Sequence, residues 1–298
     1  MEDISLKIQL FIVFVMTTFV IACGGRQENP DFLNEELVIT PLKSGLNNAI
    51  INSKSRGRVK LEVYLPPTWN KNTTETYPVV YFLHGQGGRQ TDFFDTVKSS
   101  DLDAWINQGE LPSFVLVSIQ SDYENGEEQQ WSSAKNEIFL TSKKYSELRA
   151  YTLKYFKAGD DLDTNKIKKT SIQGHSRGAR GALHYAVKFP KDFTSAVSDA
   201  FVSDYALSDE KNNAVSHSQE FIDSGIKLRM SVGDKDNFEQ NKQVSLRMHN
   251  YLKSIGLPHE YEVLADASHN FYTIWNSVLE SSQINGLYEL KFHAQSWR

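Results

Sequence analysis

Gln173-Gly174-His175-Ser176-Arg177-Gly178-Ala179-Arg180-Gly181 sets Ser176 at the centre of a G-x-S-x-G pattern. The residues just before it, Lys168 to Ile172, form a short run rich in β-formers. Those after it, to Phe189, place Ala179, Ala182, Leu183, Ala186 and Val187 at helical spacing. The order is strand, sharp turn, helix. In that context the pattern reads as a nucleophile elbow, a strained turn that thrusts a serine hydroxyl above a sheet edge. Gly174 and Gly178 supply the smallness that a close strand–helix crossing needs. Three fixed positions recur by chance in unrelated chains, so the pattern alone leaves an ordinary loop open, and the rest of the chain decides.

Outward from the elbow, strands and helices alternate. Upstream, Pro78 to Leu83 (PVVYFL) and Phe114 to Ile119 (FVLVSI) are near-continuous apolar runs, the pattern of strands buried on both faces. Helices are predicted over Phe93 to Gly109 and Ser142 to Phe156, the latter with Leu148, Tyr151, Thr152 and Tyr155 on one face. Downstream come strands near Thr194 to Val197, Lys227 to Val232 and Glu260 to Leu264, a helix over Glu239 to Ile255, and a last helix around Tyr272 to Ser282. Nearer the start, ELVIT (Glu36 to Thr40), NNAIIN and Gly57 to Leu65 are strand-length runs broken by Pro41, Gly45 and Ser55-Arg56-Gly57, and Pro66-Pro67 ends the last of them. These are expected to be antiparallel strands at one edge. The fold class is thus α/β: a mostly parallel central sheet with helices on both faces and antiparallel strands at its N-terminal edge. Two long insertions stand out, Ser121 to Lys143 and Asp204 to Gly225.

The chain has 298 residues, 40% hydrophobic and 12% aromatic, which accommodates one large domain plus appendages. A net charge of −5, a pI near 5.9 and the lack of a long basic run give nucleic-acid binding no electrostatic support. Ile8 to Ala22 is uncharged, too short for a bilayer-spanning helix of about 20 residues and right for a signal-peptide core. It runs into Cys23, the only cysteine. Val20-Ile21-Ala22-Cys23 resembles the lipobox of bacterial lipoproteins, which implies lipidation of Cys23 and a membrane anchor. Glu2, Asp3 and Ile21 depart from that pattern and leave an ordinary cleaved signal or an uncleaved anchor as alternatives. The expected organisation is a signal peptide over residues 1–22, a polar tether over 23–35 and the catalytic domain over 36–298, outside the cytoplasm and either anchored or secreted.

A nucleophilic Ser176 needs a base, and the base needs an orienting acid; on this architecture they follow as serine, acid, histidine at later strand ends. Gly233-Asp234-Lys235-Asp236 follows one predicted strand and Asp266-Ala267-Ser268-His269-Asn270-Phe271 another. Asp236 is the candidate acid, with Asp234 the alternative and more suited to a turn. His269 is the candidate base, since the other histidines lie on predicted helices, at a strand start, in an insertion, near the C-terminus or inside the elbow. His84-Gly85-Gln86-Gly87-Gly88 follows the strand ending at Leu83, and a tight glycine-rich turn can aim backbone N–H groups at a developing oxyanion. The candidate donors are the amides of Gln86 and Arg177, and His84 is expected to brace the turn. Asp161-Leu162-Asp163-Thr164-Asn165 begins like a calcium loop but continues with Lys166 and Ile172 where glycine and glutamate belong, so neither a metal nor another cofactor is expected.

Leu65-Pro66-Pro67, Tyr77 to Gly88, Gly174 to Gly178, Gly233 to Asp236 and His269-Asn270-Phe271 together resemble the esterase D-like family of the α/β-hydrolase fold, over about Ile51 to Leu279. That family includes feruloyl and acetylxylan esterases, S-formylglutathione hydrolases, siderophore esterases and mycolyltransferases. The resemblance implies a Ser176–His269–Asp236 triad and oxyanion donors at Gln86 and Arg177. With the export signal it implies a serine esterase acting on carbohydrate-linked acetyl or feruloyl esters. Acyl transfer to an alcohol or sugar acceptor and siderophore-ester hydrolysis are the alternatives. A retired hydrolase scaffold that binds carbohydrate through exposed aromatics such as Trp131 and Trp275 is a further one. Arg177 and Arg180 depart from the family pattern, in which Met or Leu and a small residue are usual; a guanidinium beside the nucleophile favours acidic substrates or pairs with a carboxylate such as Asp199, and the pairing is expected.

Overall fold

The computed structural model describes residues 42–121, 123–124, 127–128, 130–141, 146–160, 169–201 and 204–297. The predicted leader, tether, Cys23, the strand at Glu36 to Thr40 and the calcium-like stretch Asp161 to Asn165 lie outside these.

Eight strands form one sheet: β1 (Gly45–Ser53), β2 (Gly57–Leu65), β3 (Val79–Leu83), β4 (Val115–Ile119), β7 (Thr170–His175), β8 (Ser195–Asp199), β9 (Lys227–Gly233) and β10 (Glu260–Leu264). Their spatial order is β1-β2-β4-β3-β7-β8-β9-β10. The pairs β1–β2 and β2–β4 are antiparallel; every pair from β4 to β10 is parallel. A short ribbon of β5 (Tyr123–Glu124) and β6 (Glu127–Glu128) stands apart. The fold is the expected α/β sheet with its antiparallel edge.

The apolar runs are explained by two cores, one on each side of the sheet. Along β3, Val79, Tyr81 and Leu83 enter one core while Val80 and Phe82 enter the other. A strand with both faces covered cannot alternate polar residues. The first core lies under α3 (Ala134–Leu140), α4 (Glu147–Tyr151), α5 (Arg177–Lys188), α6 (Asp204–Ser216), α7 (Ser218–Ser224) and α8 (Asn241–Ser254). The second is closed by α1 (Asp92–Thr96), α2 (Ser99–Asn107), α9 (Phe271–Asn276) and α10 (Asn285–Ala294).

The structure corrects several predicted elements. The helix expected over Phe93 to Gly109 is two, α1 and α2, because buried Val97 turns extended between them. The Ser142 to Phe156 helix is described from Glu147, and its last turn, Thr152–Phe156, widens to π geometry before Lys157 enters the left-handed region at φ 56°. Neither insertion is irregular throughout: the first carries α3, and the second folds as α6 and α7. The last predicted helix ends at Asn276, and a further helix, α10, follows. Gly286 in α10 lies so close to Trp275 that an added Cβ would come within 2.1 Å of its ring.

The chain crosses to one side of β3 to form β4 and returns on the other side to form β7. Between the C-terminal ends of β3 and β7 the connections therefore diverge, and open α/β sheets bind ligands at such a point. Leu83 and His175 end those two strands.

Candidate active site

Ser176 holds φ 57° and ψ −115°, a conformation that side-chain-bearing residues rarely adopt and that costs on the order of 1–3 kcal/mol. Three contacts over-determine it. Its N–H donates to the Asp199 carbonyl at 2.8 Å, and Arg180 N–H donates back to the Ser176 carbonyl at 3.1 Å. The third is steric: a Cβ on Gly174 would lie 2.1 Å from the Gly178 carbonyl oxygen, and one on Gly178 would lie 1.8 Å from that of Leu83. With glycine at both places α5 starts directly on β3 and β7, and the serine is left at the tip, 8% exposed.

His269 and Asp236 reach the same point from the ends of β10 and β9. His269 Nε2 lies 2.8 Å from Ser176 Oγ, and His269 Nδ1 lies 2.9 Å from Asp236 Oδ2. A carboxylate facing Nδ1 fixes the proton there, so Nε2 is left to accept from the serine hydroxyl. Asp236 is 1% exposed, and its Oδ1 accepts the Phe238 N–H at 3.2 Å. Asp234 is elsewhere: its backbone bonds to Leu264 while its side chain faces solvent, the turn role expected of it.

The glycine turn after β3 lies beside the serine; a Cβ on Gly85 would sit 3.2 Å from Ser176 Cβ. His84 braces this turn. Its Nε2 accepts the Ser121 N–H at 2.9 Å, which leaves Nδ1 to donate to the Gly85 carbonyl at 2.7 Å, and its own carbonyl accepts Trp131 Nε1–H at 3.0 Å. Gln86 and Arg177 line the same cleft as Ser176, and Arg177 is the first residue of α5, where helix N–H groups point outward.

Three groups close to this chain of hydrogen bonds were not picked out from the sequence. Phe238 stacks on His269 with ring centroids 4.8 Å apart and planes 17° from parallel, although half its surface is exposed. Asn241, fully buried at the start of α8, brings its side-chain amide to 3.4 Å from Asp236 Oδ1 and 3.0 Å from His269 Nδ1. His175 donates from Nε2 to the His269 carbonyl at 2.8 Å. Burial, with the nearby His269, pushes the His175 imidazole down to about 3, so it stays neutral and works as a strut. Asp236 and Asn241 are five residues apart with a loop between them, and no sequence periodicity marks such a pair.

The cleft over Ser176 measures about 730 Å³, within the range of small-molecule sites. It is lined by Phe238 and Phe271, by the carboxylates Asp92 and Asp95, and by Gln130, Arg177 and Arg180. Trp131 and Trp275 are 1% and 2% exposed, packed in the two cores rather than offered to a ligand. Asp199 lies beneath the elbow at 0% exposure, accepting from Ser231 Oγ at 2.6 Å and Gln173 Nε2 at 3.1 Å. Gln173 also donates to Glu289 at 2.7 Å, so two buried carboxyl groups share one amide. Burial raises both carboxyl groups; the neighbouring Asp199 raises Glu289 further, while hydrogen bonds from Ser231, Glu289 and Gln173 partly offset the rise at Asp199. Among the described residues no group of three or more His, Cys, Asp or Glu is arranged to hold a metal ion.

The family described as "Putative esterase" matches residues 53–285. The chain belongs to this esterase family. Solved structures agree on the fold of the esterase. A ferulic acid esterase superposes with a TM-score of 0.67 at 17% identity, covering 85% of this chain and 98% of its own. A fluorophosphonate-binding serine hydrolase of Staphylococcus aureus gives 0.61 at 18%, covering 85% and 99%. The feruloyl esterase module of Clostridium thermocellum, solved with sinapinate, gives 0.58 at 15%, covering 86% and 87%. No curated protein sequence matches the esterase significantly. Among the described residues no helix is long and apolar enough to cross a membrane.

Proposed function

We propose that the esterase cleaves its substrate through an acyl-enzyme on Ser176. The observation that carries this is the unbroken chain Ser176 Oγ, His269 Nε2, His269 Nδ1, Asp236 Oδ2, with links of 2.8 and 2.9 Å. His269 takes the Ser176 proton as Oγ bonds to the ester carbonyl carbon, and the carbonyl oxygen becomes an oxyanion. The backbone amides of Gln86 and Arg177 receive that charge in a turn already fixed by His84, without reorganising. Collapse of the intermediate breaks the bond to the alcohol, which leaves with the proton held on His269. Water then repeats the sequence, giving its proton to His269, releasing the acid and restoring the serine. Asp236 keeps the imidazole in the Nδ1–H tautomer and stabilises its cation throughout.

The substrate we infer is a carbohydrate-linked acetyl or feruloyl ester met outside the cytoplasm. The support is the fold shared with ferulic acid esterases, a cleft with aromatic walls at Phe238 and Phe271, and the apolar leader ending at Cys23. Turnover of p-nitrophenyl acetate and of feruloylated and acetylated oligosaccharides by wild type and Ser176→Ala tests this. Loss of all turnover in the variant is expected; a fully active Ser176→Ala would refute the mechanism.

A further inference from the structure

α5 carries a basic stripe that begins at the nucleophile: Arg177, Arg180, His184 and Lys188 follow one another at helical spacing. The far half of the stripe is compensated. His184 lies between two carboxylates, Nε2 at 2.9 Å from Glu137 and Nδ1 at 3.1 Å from Glu210, and Lys188 shares Glu137. Arg180 differs. Its guanidinium meets Gln130 Oε1 at 3.4 Å and, among the described residues, its one carboxylate within 4.0 Å is Asp209, at that limit and 68% exposed. Its Nε is buried and has no hydrogen-bond partner among the described residues, while the side chain as a whole is 16% exposed. A planar donor fork held only by a neutral amide oxygen at 3.4 Å and an exposed carboxylate at 4.0 Å keeps donors for an anion.

Arg180 also stands where a substrate would meet it. It lines the cleft of Ser176 and, on its other side, a second polar cavity of about 300 Å³ bounded by Ser132, Asp209, Asn212 and Asn213. Asp92 and Asp95 line the same cleft; Asp92 accepts the Arg89 amide and lies against Gly88, and Asp95 accepts Thr91 Oγ–H at 3.0 Å.

Resting on the Ser176 mechanism above, we propose that Arg180 is a specificity-determining residue and that the preferred esters carry an anionic group, a carboxylate or its equivalent, beside the scissile bond. A carboxylate there would accept charge-assisted N–H bonds from the guanidinium in place of the long contacts to Gln130 and Asp209.

Two substrate pairs test this. Mono-4-nitrophenyl adipate against its terminal carboxamide places the anion on the acyl side, and 4-acetoxybenzoate against 4-acetoxybenzamide places it on the alcohol side. In each pair the ratio of kcat/KM, anionic over neutral, is measured for wild type, Arg180→Gln and the remote control Lys191→Gln, with active sites counted by fluorophosphonate labelling. Comparing each variant's ratio with that of wild type cancels the intrinsic reactivity of the esters. In at least one pair the ratio is expected to fall about tenfold in Arg180→Gln and to stay at the wild-type level in Lys191→Gln. Equal ratios in wild type and Arg180→Gln for both pairs would overturn the proposal, as would an equal fall in Lys191→Gln, which would mark a net-charge effect. Wild-type turnover of the neutral esters keeps the Ser176 mechanism standing in either case; failure to turn over any of the four esters would remove both.

Discussion

At the scale of single residues, the hydrogen-bonded chain from Ser176 to Asp236 depends on groups that never touch the ester. Asn241 packs against both members of the acid–base pair from the start of α8, and His175 ties the His269 backbone to the elbow. Asn241→Ala is expected to lower kcat between about tenfold and a hundredfold with little change in KM, because it loosens the pair without altering the cleft. Steady-state kinetics on p-nitrophenyl acetate checks this; an unchanged kcat would reduce Asn241 to packing. That Ser176, His269 and Gln86 share one cleft was legible in the sequence, because each motif follows a strand the sequence also announces. Asp236 was legible as one of two. Asn241, Phe238 and His175 were not, since their roles arise only when the loops after β9 and β10 meet the elbow. Asp199 was expected to meet Arg177, but the structure gives its carboxylate Ser231 and Gln173, with Glu289 alongside.

At the scale of elements, the crossing of α5 over β3 and β7 brings helix and strands together more closely than at any other described glycine. Gly178→Ala would drive a methyl group into the Leu83 carbonyl and is expected to destabilise the fold by about 3 kcal/mol or more, read as a fall in melting temperature. A wild-type melting temperature would show that helix and strand can separate at no cost. The buried contact among α3, α5 and α6 should respond to pH. Burial lowers the His184 pKa, but its bonds to Glu137 and Glu210 outweigh that and raise it above its usual 6.5. Burial raises Glu137, but His184 and Lys188 hold it down to about 2. The His184 contribution is therefore complete below pH 6.5 and lost as pH rises through the raised value; that of Glu137 is complete above pH 4.5 and lost as pH falls towards about 2. Melting temperatures across pH are expected to peak between those limits, with His184→Gln flattening the alkaline side; an unchanged alkaline slope would contradict the assignment. Strands with two buried faces were easy to read. The helices were harder. Asn285-Gly286, a turn signal in sequence, opens α10 because only glycine fits against Trp275. Val97 divides a helix that periodicity alone continues.

At the scale of the whole molecule, the change in the side on which strands are added, between β3 and β7, gathers the glycine turn after β3, Ser176, Asp236 and His269 at one sheet edge. That gathering is why separated motifs in the sequence belong to one site. We propose that the lipobox-like stretch Val20 to Cys23 is lipidated at Cys23 and anchors the protein to a membrane. Cys23→Ala is expected to move the protein from the membrane fraction to the soluble fraction, measured by fractionation and by lipid mass on the wild-type chain; equal distribution of the two would contradict the anchor. The central claim, that Ser176 is the nucleophile activated by His269, is tested most directly by mapping a fluorophosphonate adduct through peptide mass spectrometry in wild type and His269→Ala. The account predicts one adduct, on Ser176, formed rapidly in wild type and slowed by at least about a hundredfold in the variant; an adduct on another residue, or an unchanged rate in His269→Ala, would contradict it.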